Sequence, residues 1–217
     1  MEAWDIFLQM KDGMTETVKI FFLTLIFTLP LGLLVAFGRM SKNFIIRNLT
    51  KFYIAIMRGT PLMLQLLVVY FGPYYLFRIR LTTEYRFYAV IIGFVLNYAA
   101  YFAEIYRSGI ESMPAGQYEA AKVLGYNWGQ TFIKIILPQV IKRILPSVTN
   151  EIITLVKDTS LAFSIAYVEM FSLAKQIAAR SSTMVPFIIA GVFYFVFNLL
   201  VAFVMGRIEK KMDYYTI

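Results

Sequence analysis

The stretch GQYEAAKVLGYNWGQTFIKIILP, residues Gly116–Pro138, interrupts a chain that is otherwise largely apolar. It is the longest polar-rich interruption between apolar segments, and it carries Glu119 and Lys122. A helix that begins after Pro114 is expected to end at Gly125, because glycine is common just past helix C-termini. A helix-forming polar segment between two apolar spans is suited to contact something in water.

The flanks of this helix carry their own signals. Ser112 is a candidate cap at its start, and a second helical stretch is expected to run toward Leu137, where Pro138 marks a boundary or a kink. The small residues Ala120 and Ala121 would let another surface approach closely. The alternative interpretation, on spacing alone, is an ordinary amphipathic loop between spans.

Composition indicates a membrane protein. The chain has 217 residues, of which 59% are hydrophobic and 16% are charged, whereas soluble domains carry roughly 25% charged residues. It has no Cys and no His, which excludes disulfides, imidazole-based catalytic triads and the usual zinc sites. The net charge of +8 is attributed to basic loops at the membrane surface rather than to nucleic-acid binding.

Five apolar segments approach the ~20 residues that a bilayer requires, which predicts an all-α integral membrane protein built as one domain over residues 1–217. In the second segment, Thr60 is a candidate N-cap and Pro61 a first-turn proline, and the residues before them are predicted to form a helix at the cytoplasmic face. A loop is expected over Glu169–Thr183. The predicted spans are Thr17–Phe37, Phe52–Met57 with Leu62–Phe77, Phe87–Tyr106, Ile141–Val168 and Met184–Gly206.

The distribution of basic residues predicts the orientation. Twelve Lys or Arg residues lie in the loops after spans one, three and five, and seven lie on the other side. The positive-inside rule then places the N-terminus outside and the C-terminus, with the Gly116–Pro138 stretch, in the cytoplasm. The N-terminal residues show no basic region typical of a cleavable signal peptide.

Polar residues recur at three- and four-residue steps along the fourth span, which places them on one helical face. Ionisable groups at membrane depth cost about 2.5 to 3.5 kcal/mol each, so they persist where they meet a partner, a cavity or a substrate. One reading is an internal ion pair or a snorkelling lysine; the other is a substrate path. The residues are Ser147, Asn150, Glu151, Thr154, Lys157 and Asp158.

A second polar face lies on the third span, where Asn97, Tyr101 and Glu104 stand at i, i+4 and i+7. It is suited either to line the same path or to hydrogen-bond between helices, as polar residues of membrane helices do. Gln65 on the second span is a weaker candidate of the same kind. Catalytic and metal-ligating residues are expected to be absent.

The central stretch resembles the EAA signature of permease subunits in ATP-binding-cassette importers. Glu119-Ala120-Ala121 is followed by three residues, Gly125, nine residues and Ile135-Ile136-Leu137-Pro138, a match at every fixed position. Three further motifs are similar to those of the polar-amino-acid permeases of this family. They are Arg58-Gly59-Thr60-Pro61 with Gln65 and Tyr70-Phe71-Gly72, Ala103-Glu104-Ile105-Tyr106-Arg107, and Lys157-Asp158-Thr159-Ser160-Leu161.

This resemblance implies a multi-pass permease of the bacterial inner membrane, embedded in lipid, with about five transmembrane helices and a cytoplasmic coupling helix between the third and the fourth. The coupling segment, about residues 112–138, would dock in a cleft of an ATPase subunit. The docking contacts carried over from the signature are Glu119, Ala120, Ala121 and Gly125.

The resemblance also implies partners. They are the ATPase subunits, which would hold ATP and magnesium, a second permease chain expected to be identical to this one, and an extracellular amino-acid-binding protein. The chain lacks the G-x-x-x-x-G-K-[ST] loop of such ATPases, so it is not expected to be an enzyme or to hold a cofactor itself.

An amino acid carries an ammonium and a carboxylate, and Lys157 with Asp158 or Glu151 would offer both signs. Because Glu104, Glu151 and Asp158 outnumber Lys157, a basic substrate such as arginine, lysine or histidine is favoured. Glutamine or another polar amino acid stays open, as does an ion-coupled amino-acid transporter without an ATPase. A membrane enzyme using Lys157 and Ser160 is a further alternative.

Overall fold

A computed structural model describes residues 3–212, and every regular element in that range is helical. Nine α-helices follow one another in chain order, with a π-helical turn over Phe132–Ile136 and a 3-10 turn over Thr159–Ile165. The α-helices are α1 (Ala3–Arg39), α2 (Phe44–Gly59), α3 (Leu62–Phe77), α4 (Thr83–Glu111), α5 (Ala115–Val123), α6 (Trp128–Thr131), α7 (Leu137–Asp158), α8 (Met170–Ser181) and α9 (Val185–Lys211).

Three single helices of the described chain, α1, α4 and α9, are long and apolar enough to cross a membrane. Two bent pairs raise the number to five if each pair counts as one span. One pair joins α2 to α3 with a bend of 111°. The other joins the continuous helical run from Trp128 to Ile165, which includes α7, to α8 with a bend of 57°. The predicted all-α membrane fold is therefore confirmed, and the second and fourth spans are the bent ones.

The α4 helix forms the centre of the fold. Its residues Phe94, Tyr98 and Phe102 are almost completely buried. Against α1 it packs closely, since a Cβ added at Gly32 would come within 2.9 Å of Phe102 Cβ, and the Thr28 hydroxyl donates to the Val95 carbonyl at 3.2 Å. Small residues at such a crossing let two membrane helices approach.

The break between α2 and α3 differs in detail from the prediction. Thr60 does not cap α3: its hydroxyl donates back to the Ile56 carbonyl at 2.8 Å and closes α2. Pro61 takes the N-cap position without a side-chain hydrogen bond, and α3 begins at Leu62. A residue before proline is driven to extended backbone, and Thr60, with φ −125° and ψ 149°, adopts that conformation.

The expected loop over Glu169–Thr183 is wrong, because these residues contain α8. Glu169 caps this helix by accepting from the backbone N–H groups of Phe171 and Ser172, both at 2.7 Å. The apolar face of α8 is buried, with Met170 fully enclosed. A short amphipathic helix with charges on its outer face lacks the long apolar run by which a span is recognised.

The expected boundary at Pro138 is confirmed as a change of helix type. The π-helical turn ends at Ile136, and Pro138 lies in the first turn of α7. Proline has no N–H to donate to the preceding turn, and π-helical turns occur mostly as single turns inside longer α-helices. The segment thus enters α7 without a loop.

Candidate functional site

A cavity of about 330 Å³ lies where the start of α3 meets α4 and the end of α7. This volume falls within the roughly 300–1,000 Å³ of small-molecule sites. Five of its lining residues were predicted as substrate contacts from the sequence: Asn97, Tyr101, Glu151, Thr154 and Asp158. The others are Thr60, Pro61, Leu62, Tyr98 and Leu161.

The acidic wall of the cavity is positioned by a residue that the sequence did not single out. The Tyr98 hydroxyl donates to Asp158 Oδ2 at 2.7 Å, and the Tyr98 side chain is almost completely buried. Glu151 lies two turns before Asp158 on the same helix. Because Tyr98 bonds to Oδ2, the Oδ1 atom of Asp158 can accept from a further donor. The sequence signal was weak, because aromatic residues in a span usually indicate packing.

Asn97, another lining residue of the cavity, is held in place by the side-chain amide of Gln65. Asn97 Nδ2 lies 3.0 Å from both Gln65 Oε1 and the Met57 carbonyl. Gln65 Nε2 in turn lies within 3.1 Å of Met57 O and of both oxygens of Thr60. Gln65 does not line the cavity among the described residues. Its polar atoms instead hold Asn97 and the Thr60 turn in place.

Glu104 lies in an ion cluster and does not line the cavity in the described part of the chain. Its Oε2 lies 2.6 Å from Arg107 Nη2 and 4.0 Å from Arg58 Nη1, and its Oε1 lies 3.7 Å from Arg39 Nε. Arg107 also pairs with Glu111. The charge of Glu104 is thus matched by three arginines, which join α1, α2 and α4.

Lys157 is exposed on α7 and is likewise not among the described lining residues. The Ser160 hydroxyl, its suggested partner in an enzyme, donates to the Lys157 backbone carbonyl at 2.8 Å. The Thr154 hydroxyl donates to Asn150 O at 2.9 Å while Thr154 remains exposed. The cavity therefore presents carboxylates, an amide and hydroxyls.

The central polar stretch forms α5, a turn and α6. Gly125 has a φ of +79°, a left-handed conformation that favours glycine and ends the helix as predicted. Ser112 does not cap α5; it ends α4, and its hydroxyl donates to Gly109 O at 2.7 Å. Pro114 occupies the N-cap position of α5 instead.

The outward surface of this stretch is partly apolar. Glu119 and Ala120 are exposed, whereas Ala121 is 1% exposed and packs inward. Val123 and Trp128 are 88% and 73% exposed. Paired hydrogen bonds of 2.8 Å between the amides of Gln117 and Gln139 tie α5 to α7. The stretch therefore presents a fixed surface of small and apolar residues.

The chain matches the family described as the inner membrane component of binding-protein-dependent transport systems, over residues 28–214. Three relatives give the comparison its detail. The L-cystine transport system permease TcyB of Bacillus subtilis (strain 168) is 36% identical over 98% of this chain and 92% of its own length. The arginine permease ArtQ of the same strain, and GlnP of Rickettsia bellii (strain RML369-C), provisionally named for glutamine transport, are each 36% identical over 93% of this chain and 91% of their own length.

Solved structures agree. The crystal structure of an amino acid ABC transporter with histidines is 32% identical, with a TM-score of 0.84 and coverage of 94% of both chains. The MetNI methionine ABC transporter shares the fold alone, with a TM-score of 0.73 at 17% identity. The permease relatives are not enzymes themselves, since ATP is hydrolysed in the partner ATPase. The chain belongs to the binding-protein-dependent inner membrane components and is a permease subunit of a polar-amino-acid ATP-binding-cassette importer of the bacterial inner membrane.

Proposed function

We propose that this permease moves a polar amino acid, preferentially a basic one, through the cavity between α3, α4 and α7. The observation that carries the proposal is the charge of the wall: Glu151 and Asp158 both line the cavity, and none of its described lining residues is Lys or Arg. Two carboxylates favour a substrate with more positive than negative groups, such as arginine, lysine or histidine.

Asn97 and Thr154 add neutral polar groups to the same cavity. They would also suit glutamine, the substrate in the provisional name of one relative, while others are named for cystine and arginine. Glutamine is therefore the second candidate.

Transport would follow alternating access driven by the ATPase, which would bind ATP and magnesium. In the permease, the stretch from 112 to 138 would be the coupling segment. Glu119 and Ala120 are exposed for docking and Gly125 shapes the turn. Ala121, being buried, would support the contact from inside by packing α5 onto the rest of the chain.

The second permease chain is proposed to be an identical one. The exposed face of α7 carries Ser147, Asn150, Thr154 and Lys157, and polar side chains are costly against lipid. A second copy with its own polar face would cover them and enclose a hydrated path. The N-terminus is proposed to lie outside, where the binding protein docks, and the C-terminus inside.

The decisive experiment measures ATP-dependent uptake of labelled arginine, lysine, histidine and glutamine in proteoliposomes. They hold this permease, its ATPase and its binding protein. Asp158→Asn and Glu151→Gln are the test variants, and Arg47→Gln, exposed on α2 and outside the cavity lining, is the control. Assembly is verified by co-purification of the ATPase.

We expect uptake of a basic amino acid that falls at least tenfold in both test variants and holds in the control. Uptake that is confined to glutamine and unchanged in the test variants would contradict the proposed site, although the chain would still be an amino-acid permease. Absence of ATP-dependent uptake of any polar amino acid by an assembled wild-type complex would overturn the substrate class.

A further inference from the structure

Arg58 contacts a lining residue of the cavity and has no role in the proposal above. It ends the last turn of α2, two residues before Thr60, which lines the cavity. Its guanidinium carbon is 5.3 Å from the centre of the Tyr101 ring, and Tyr101 is itself part of the wall. A guanidinium over an aromatic face is held in place by the ring's negative charge density while its N–H edges stay available.

The ion cluster around Glu104 leaves Arg58 the least committed of its cations. Three guanidinium groups share two carboxylates, Glu104 and Glu111. Arg107 makes contacts of 2.6 Å, whereas Arg58 approaches no closer than 4.0 Å, and its side chain is 45% exposed against 23% for Arg107. The cluster therefore carries one excess positive charge, and Arg58 is the member that also contacts a lining residue of the cavity, Tyr101.

We infer that Arg58 binds the α-carboxylate of the transported amino acid, while Asp158 and Glu151 bind its ammonium groups. This inference rests on the proposed function, since it assigns a residue to the same cavity. It takes the place of Lys157, the cation suggested by the sequence. Neither cation is among the described lining residues, but Arg58 lies over the ring of Tyr101, which is one of them. The planar fork of an arginine matches a carboxylate with two parallel hydrogen bonds, which a lysine cannot offer.

This arrangement would separate the two tasks of the site. Every amino acid has the α-carboxylate, so a cation at the edge of the cavity recognises the class. The wall of Glu151, Asp158 and Asn97 then meets the groups by which amino acids differ. Tyr98 holds Asp158, and Glu104 with Tyr101 holds Arg58 from the other side.

The test compares each amino acid with its carboxamide, which keeps the ammonium but lacks the carboxylate. Binding of labelled L-arginine and L-glutamine, with argininamide and glutaminamide as competitors, is measured on the purified permease–ATPase complex without the binding protein. The variants are Arg58→Gln and Arg58→Lys. Arg47→Gln, exposed on the same helix, is the matched control, and Lys157→Gln tests the rival cation.

We expect the wild-type complex to prefer the amino acid over its amide by about tenfold or more, as one charge-assisted hydrogen bond to a carboxylate provides. Arg58→Gln should abolish this preference, Arg58→Lys should keep part of it, and Arg47→Gln and Lys157→Gln should keep it in full. Because acid and amide are compared within one variant, a packing defect would weaken both equally and leave their ratio unchanged.

The outcomes separate the two claims. A preference that survives Arg58→Gln, or that disappears in Lys157→Gln instead, overturns the assignment to Arg58. If the wild-type complex binds neither amino acid, or binds one that Asp158→Asn does not weaken, the proposed cavity itself fails. Both the cavity and the assignment of Arg58 are supported if amino-acid binding is lost in Asp158→Asn and the preference for the amino acid over its amide is lost only in Arg58→Gln.

Discussion

The exposed faces of α7 and α9 differ in chemistry although both helices are long and pack against each other. On α9 the exposed residues are apolar, with Val192, Leu199 and Phe203 each more than half exposed. On α7 they include Asn150 and Lys157. Water or protein must satisfy polar groups that lipid cannot. We therefore expect the two faces to meet different surroundings, α9 the hydrocarbon of the bilayer and α7 a hydrated or protein-lined space.

A charge placed on each face tests this difference most directly. Leu199→Arg sets a guanidinium against lipid and is expected to cost about 2.5 to 3.5 kcal/mol of insertion free energy. Asn150→Arg, on the exposed face of α7, should cost little. The measurement is the amount of full-length protein recovered in the membrane fraction, at matched expression, with its melting temperature in detergent.

Equal losses in the two variants would show that the α7 face also meets lipid, which would remove the reason for covering it with a second copy. Tolerance of Leu199→Arg together with loss of Asn150→Arg would reverse the assignment of the two faces.

The packed side of α7 and the exposed side of α9 can be compared with two glycine substitutions. At Gly109 on α4, an added Cβ would collide with the Ile144 side chain of α7 and come within 3.2 Å of Val140 Cγ1. Gly109→Ala should therefore destabilise the chain by about 1 to 3 kcal/mol. At Gly191 on α9, an added Cβ meets no atom within 4 Å, and alanine favours a helix over glycine by up to about 1 kcal/mol.

We accordingly expect thermal unfolding in detergent to give a lower melting temperature for Gly109→Ala and an equal or higher one for Gly191→Ala. If Gly191→Ala were the more harmful variant, a second protein surface would have to lie against the outer face of α9. An unchanged Gly109→Ala would mean that Ile144 moves aside without cost.

Much of this fold could be predicted because its main signal is local. Runs of about 20 apolar residues indicate spans whatever their neighbours are, and the five segments followed from that alone. The α8 helix was missed because Lys175 and Arg180 interrupt its apolar positions and it is too short to span. The break between two helices at Thr60 and Pro61 was placed correctly. The capping by Thr60 was not, because its hydroxyl donates to the preceding helix.

The candidate site was predictable where its residues share a helix face. Helical spacing brought Glu151, Thr154 and Asp158 together, and the structure places all three around one cavity. The surroundings of Glu104 were not predictable, because Arg39 and Arg58 come from other helices far along the chain. Tertiary contacts of this kind leave no periodic signal in the sequence, and they decide which acidic residues are free to meet a substrate.

The smallest expected effect concerns the contact between α7 and α9 themselves. The Thr149 hydroxyl lies 2.6 Å from Glu209 Oε1 and 3.0 Å from the Leu145 carbonyl, and it has a single proton to donate. Hydrogen bonds between membrane helices contribute about 0.6 kcal/mol on average, since the unpaired groups find other partners. Thr149→Val should lower the stability by about that amount.

A double-mutant cycle with Glu209→Gln isolates the energy of this pair from the other effects of each change. A coupling energy near 0.6 kcal/mol would mean that α7 and α9 are held together mainly by packing. The orientation of their outer faces would then not depend on this hydrogen bond. A coupling energy above about 2 kcal/mol would instead make the Thr149–Glu209 contact a fixed anchor. Charge reversal at position 209 would then be expected to disturb the orientation of the polar face of α7, and with it the cavity.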